Sequence, residues 1–334
     1  MRVVIRAASP WLCAGCVVLG GCGPSMRQTE LTIDNPPVRL GATLYAPEAS
    51  TPLPAVLLLH GSGPDGRENP YYQQLVDAFA RHGIAVLVYD KRGSGASTGD
   101  WRDAPFSALV DDAEAALRAL RQHPWVDSTR VGIWGGSEGA TIAALLAARV
   151  PGAAFLIVQS LSGPPFGEQY RFQAARAFRG QPVDSVAAVT LVAAKLAYLR
   201  GAMAWRGYDS LARASAGRAF AAYAAPSAPE SWWWRWYATK VDVTALPSLA
   251  TLRTPLLAVW GADDVLVPAD TSRAMVRAAR APLRVAGDEI RVIPGASHTL
   301  HVPGLRGLLA GAGLRNRPVH LRAMTGWAAA QVQR

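Results

Sequence analysis

Cysteine is nearly absent: three residues in 334, at positions 13, 16 and 22, with none beyond. A chain without thiols past its first segment can neither staple itself with disulfides nor build a thiolate zinc site there, so its stability has to come from an apolar core. Half of the residues are hydrophobic, enough for a sizeable core, and the length suits one large α/β domain or two small ones. Lysine is equally scarce, found only at 91, 195 and 240, so the formal charge of +10 is carried by arginine. Those arginines are scattered with no basic block, which is the pattern of a solvated surface, and no nucleic-acid partner is expected. The apolar stretch 12–19 near the start is too short for a membrane span, which takes about 20 residues.

That stretch follows Arg2 and Arg6, the layout of an export leader. Cys13 and Cys16 have C-x-x-C spacing but lie in the leader's apolar part and would leave with it. The leader ends in Leu19-Gly20-Gly21-Cys22, which resembles the lipobox of bacterial lipoproteins. The resemblance implies cleavage before Cys22, a lipid on that residue and attachment to a bacterial membrane. Gly23 in place of an aspartate points, by the same resemblance, to the outer membrane. An ordinary signal peptide with an incidental cysteine is the alternative. Residues 22–37, with Pro24, Ser25, Asn35, Pro36 and Pro37, read as a tether.

From residue 38 onward, strand and helix patterns alternate. Residues 38–46 alternate as a strand should, and 55–60 form an apolar run of the kind buried on both faces of a parallel sheet. A loop of small residues follows at 60–66, then an amphipathic helix over 71–81, a strand at 85–90, a helix over 106–121 and a strand at 130–134. After the strand at 153–159 the pattern changes. Residues 163–245 carry only helical segments, such as 186–199 and 211–223, before a strand resumes at 255–260, with a helix over 270–280, a last strand at 289–293 and a closing helix over 324–332. This is the βαβ signature of a doubly wound, mostly parallel sheet, with a core over 38–162 and 246–334 and a helical cap over 163–245 inserted before the penultimate strand.

The chemistry centres on Gly135-Gly136-Ser137-Glu138-Gly139, a G-x-S-x-G pattern between an apolar strand and a helix. In that setting the serine sits on a strained turn that exposes its hydroxyl, and the small flanking residues let strand and helix pass closely. A serine hydroxyl is a weak nucleophile near neutral pH, so it needs an imidazole to take its proton and a carboxylate to orient the imidazole. Of six histidines, His298 follows the last strand, where a base is required, and His301 is held in reserve. His60 is read as a prop for the glycine loop. Asp263 and Asp264 both follow the penultimate strand, and the order serine, acid, histidine leaves either eligible.

The run Tyr89-Asp90-Lys91-Arg92-Gly93-Ser94-Gly95-Ala96-Ser97, with Gly99-Asp100-Trp101, resembles the bacterial esterase and serine-aminopeptidase-like branch of the α/β-hydrolases. The resemblance implies the α/β-hydrolase fold and, by spacing from the following Val-Pro, selects Asp264. It also implies an oxyanion hole made by the backbone N–H groups of Ser62 and Glu138. Asp90 and Arg92 are expected to brace the loop beneath the site as a charged pair.

The expected activity is cleavage of small or medium acyl esters through an acyl-enzyme, with no metal and no cofactor. An aminopeptidase of the same fold and a non-catalytic binding lipoprotein are the alternatives. Trp232, Trp233, Trp234 and Trp236 have three compatible readings: cap core, an apolar substrate pocket, or a surface that meets lipid.

Overall fold

The computed structural model describes residues 25–177, 185–218, 221, 228–301 and 320–333. The leader and Cys22 lie outside these residues, as does most of the segment that follows His301.

Eight strands form one sheet. They are β1 (Met26–Asn35), β2 (Val38–Pro47), β3 (Leu53–Leu59), β4 (Ala85–Tyr89), β5 (Val126–Gly136), β6 (Leu156–Gln159), β7 (Leu256–Gly261) and β8 (Glu289–Ile293). Their spatial order is β1-β2-β4-β3-β5-β6-β7-β8. β1 with β2 and β2 with β4 are antiparallel, and every later pair is parallel. The central strands are apolar throughout because helices cover both faces: Val56, Leu58, Val86 and Val88 pack on one side, and Leu57, Leu59, Leu87 and Ile133 on the other.

The tether expectation is corrected here. Residues 26–35 are not a free linker but the edge strand β1, paired in continuous register from Met26 opposite Pro47 to Asn35 opposite Val38. Only Leu31 and Ile33 of this strand are buried, so its apolar alternation is two residues deep in a polar stretch, too faint to stand out in the sequence.

The helices around the sheet are α1 (Pro70–Ala80), α2 (Phe106–Arg121) and α3 (Glu138–Arg149) in the first half. Between β6 and β7 come α4 (Phe166–Ala177), α5 (Ser185–Leu199), α6 (Trp205–Ala214), α7 (Trp232–Ala238) and the single turn α8 (Leu246–Leu249). The chain then adds α9 (Ala269–Arg280) and closes with α10 (Leu321–Val332). The helix expected over 211–223 instead begins at Trp205, within α6, because Tyr208 and Leu211 pack into the aromatic core of the inserted helices. That core, with Trp101, Tyr170, Leu196, Tyr208, Trp234 and Val241, is separate from the two that flank the sheet.

Candidate active site

The C-terminal ends of parallel strands are where an open α/β sheet presents its site, because the loops there converge on one edge. Ser137 leaves the end of β5, Asp264 follows β7 and His298 follows β8, all on that edge. Ser137 has φ 56° and ψ −119°, a backbone conformation that is costly for a residue with a Cβ. It is held there by its own amide, which donates to the Gln159 carbonyl at 2.8 Å, and by the close approach of α3 to β3. A Cβ on Gly139 would lie only 2.6 Å from the His60 carbonyl oxygen and nearer still to that of Leu59, so no larger residue fits at this crossing.

Ser137 is also the residue that caps α3, yet its hydroxyl makes no capping hydrogen bond. The side-chain oxygen of a serine at that position ordinarily accepts a hydrogen bond from a backbone N–H in the first turn of the helix. Here the hydroxyl is left to the cavity.

His298 Nδ1 lies 2.8 Å from Asp264 Oδ2. The other carboxylate oxygen of Asp264 accepts from the amides of Leu266 and Val267 at 2.8 and 2.9 Å, which fixes the acid in its loop. Asp264 is buried whereas Asp263 is exposed, so two adjacent acids leaving one strand are separated by direction alone. His298 is steadied from behind by Ser160, whose hydroxyl donates to the His298 carbonyl at 2.8 Å. The reserve candidate His301 is turned elsewhere, with its Nδ1 2.9 Å from the Thr299 hydroxyl.

Ser137 and His298 line one cavity of about 530 Å³, together with Gly61, Ser62 and Gln159. No hydrogen bond joins the two side chains, a contact that often tightens only when substrate is bound. The Ser62 amide donates to nothing among the described residues, and Glu138 is the first residue of α3, so its amide has no acceptor within the helix.

The far wall is aromatic. Trp233, Trp236 and Tyr237 lie on one face of α7 at the three- and four-residue spacing of a helix, and Phe166 and Tyr170 join them from α4. Of the four tryptophans expected in the pocket, Trp233 and Trp236 therefore line it. Trp234 points the opposite way into the cap core against Tyr198, Trp205 and Tyr208, and Trp232 lies outside against Trp101.

Beneath the floor, the charges are arranged differently from the expected Asp90–Arg92 brace. Asp90 accepts from the amides of Arg67 and Ala96 at 3.0 and 2.9 Å, while Arg92 turns away to pair with Asp112 at 2.6 Å. Two fixed carboxylates thus do what one pair was expected to do. His60 packs edge-on against Tyr72 and Tyr89, and burial lowers its pKa to about 4, so it is a neutral prop.

The residues that sequence reasoning missed are Lys91 and Lys240. Their ammonium groups lie 2.6 and 2.7 Å from the two carboxylate oxygens of Glu138, with all three side chains almost fully buried. Burial alone pushes the Glu138 carboxyl up, but the two lysines outweigh it and hold it below the usual range. Burial pulls Lys240 down to about 8 against the opposing effect of Glu138. The one available signal was the rarity of lysine: every lysine of the chain is buried.

Among the described residues no group of three or more His, Cys, Asp or Glu side chains is placed to hold a metal ion. Nor is any described helix long and apolar enough to cross a membrane.

The sheet order, the inserted helices and the serine turn define an α/β-hydrolase. The profile of the serine aminopeptidase S33 family matches residues 50–302, and the chain belongs to that family. Esterase FrsA of Escherichia coli O1:K1 / APEC is 36% identical over 123 residues, a match that spans 37% of this chain but only 28% of that relative's length. Among solved structures, the Pyrococcus furiosus esterase PF2001 superposes with a TM-score of 0.59 at 16% identity, over 95% of each chain. Est1E from Butyrivibrio proteoclasticus gives a TM-score of 0.55 at 16% identity, over 91% of this chain and 99% of its own. At such identities the two structures establish a shared fold.

Proposed function

We propose that the protein is a serine hydrolase that cleaves carboxylic esters of small or medium acyl groups through an acyl-enzyme. The observation that carries this reading is the Asp264–His298 contact of 2.8 Å on the same cavity as a serine with φ 56° and an uncommitted hydroxyl. Ser137 Oγ attacks the ester carbonyl carbon as His298 Nε2 takes its proton, and Asp264 keeps Nδ1 protonated and the ring oriented. The carbonyl oxygen, now negative, accepts from the amides of Ser62 and Glu138. His298 then returns the proton to the departing alcohol oxygen, leaving an acyl group on Ser137. Water repeats the sequence and frees the acid.

The cavity chemistry favours an ester over an amino-terminal peptide. An aminopeptidase has to hold a substrate ammonium, and among the described residues the only carboxylate lining the cavity is Asp65. That group is already engaged by the Tyr72 hydroxyl at 2.8 Å and by Asn69 and the Gly66 amide at 2.9 Å each. Three acids of the inserted helices are paired elsewhere: Glu168 with Arg171, Asp209 with Arg213 and Asp242 with Arg200.

The test is Ser137→Ala. Hydrolysis of p-nitrophenyl butyrate is expected to vanish while the far-ultraviolet circular dichroism is unchanged, and labelling by a fluorophosphonate probe is expected to vanish with it. Full activity in the variant would sink the assignment, and absence of labelling in the wild type would favour a binding lipoprotein instead. We further propose that the chain is exported and carried at the outer membrane by a lipid on Cys22, which rests on the resemblance of residues 19–22 to a lipobox.

A further inference from the structure

Lys240 belongs to the inserted helices, two residues beyond the end of α7, yet its side chain ends beneath the serine turn of the core. There it meets Glu138, whose own amide is one of the two proposed oxyanion donors. The other donor, the Ser62 amide, is reached through Lys91. The Lys91 ammonium donates to the Gly61 carbonyl at 2.8 Å and to Glu138 Oε1 at 2.6 Å.

The Gly61 carbonyl and the Ser62 N–H belong to one planar trans peptide, so they point in opposite directions. Fixing the carbonyl inward on Lys91 therefore aims the N–H outward at the cavity. The Ser62 hydroxyl adds a longer contact to Glu138 Oε2 at 3.4 Å. Both amide-bearing segments are thereby tied to one buried carboxylate, and Lys240 makes the closer contact to Oε2, at 2.7 Å.

The surroundings make this link specific. The Lys240 ammonium lies 4.4 Å from the centroid of the Trp236 ring and 5.2 Å from that of Phe106, in a fully buried slot. Two cations against one carboxylate leave the cluster with a net positive charge beside the place where negative charge develops. In a water-excluded site such a fixed charge acts far more strongly than it would in solvent.

The geometry points to Lys240 as a positioning residue for catalysis: through Glu138 and Lys91 it sets the two oxyanion amides, so the seat of the inserted helices and the oxyanion hole are one unit. This rests on the reading of Ser137 as nucleophile. Without Lys240, one oxygen of Glu138 loses its ion pair and the carboxylate is free to rotate, taking the first turn of α3 and the Lys91 contact with it.

The experiment compares wild type, Lys240→Met, Lys240→Arg and Ser137→Ala on p-nitrophenyl butyrate, with phenylboronic acid as a mimic of the tetrahedral adduct. Losing one oxyanion donor outright costs on the order of 100-fold, so loosening both is expected to lower kcat of the Met variant by about tenfold or more. KM should stay within about twofold, boronate affinity should fall in step with kcat, and arginine should restore part of the loss. A Met variant with wild-type kcat, or one in which only KM rises, overturns the inference and leaves Lys240 as a wall support.

Should the Met variant be unfolded by circular dichroism, Lys240→Gln, which keeps a donor for Glu138, is read in the same way. Unfolding of both variants overturns the inference in favour of a purely structural role. An active Ser137→Ala sinks the nucleophile assignment, whereas an inactive one beside unaffected Lys240 variants sinks only the present proposal.

Discussion

Substituting Gly139 by alanine adds a single methyl group where α3 crosses the end of β3 in direct backbone contact. That Cβ would sit 2.6 Å from the His60 carbonyl oxygen and 2.7 Å from the Leu59 carbonyl carbon, both backbone atoms of the strand end that leads into the glycine loop. Ordinary non-bonded separation is about 3.5 Å, so relief requires α3 to withdraw from β3 by about 1 Å. No side chain can rotate aside to absorb it. The withdrawal moves Ser137 and the Glu138 amide together, away from His298 and the Ser62 amide.

Overpacking of this kind costs about 1–3 kcal/mol of stability, and a misplacement of about 1 Å at the reacting groups costs on the order of 100-fold in rate. Gly132→Ala is the control, because its methyl would run into the ring of Phe155, within the apolar packing on the other side of the sheet. Both variants should lose thermal stability, but only Gly139→Ala should lose kcat on p-nitrophenyl butyrate by about two orders of magnitude. Equal kcat in the two would refute the claim that this crossing sets the reacting geometry.

Two further outcomes are expected. Burial lowers the Lys195 ammonium to about 7 from the 10.5 of a free lysine, so between those values the unfolded chain holds a proton that the folded chain does not. Stability should therefore rise with pH across that window, and Lys195→Met should flatten the rise in thermal midpoint measured from pH 7 to pH 10; identical slopes would remove Lys195 as its source. Metabolic labelling with a fatty-acid analogue should tag the protein and Cys22→Ser should lose the tag, while a tag that survives in the variant would discard the lipidation site.

The candidate site was legible wherever its signal is local. The serine turn is written in five consecutive residues, Asp264 follows a strand that shows as an apolar run, and His298 follows one that alternates apolar with charged residues. The choice between Asp263 and Asp264 needed family spacing, because adjacent residues differ only in the direction they leave the strand. The buried cluster around Glu138 was illegible for a different reason: Lys91, Glu138 and Lys240 are separated by 47 and 102 residues, and no periodicity links them. Strand β1 escaped notice because edge strands face solvent and carry few apolar positions. Helix periodicity, applied to α7, would have divided its tryptophans between wall and core.

Short helix α7 holds two duties at once: its face supplies Trp233, Trp236 and Tyr237 to the cavity, and the chain just past its end sends Lys240 under the serine turn. Lying between β6 and β7, the inserted helices look like an exchangeable cassette. This one is not freely exchangeable. A graft cut at the strand ends would carry off the counter-ion of Glu138 along with the aromatic wall, so an exchange that keeps the Glu138 cluster has to leave residue 240 with the recipient. The topological seam and the chemical seam of the chain fall in different places.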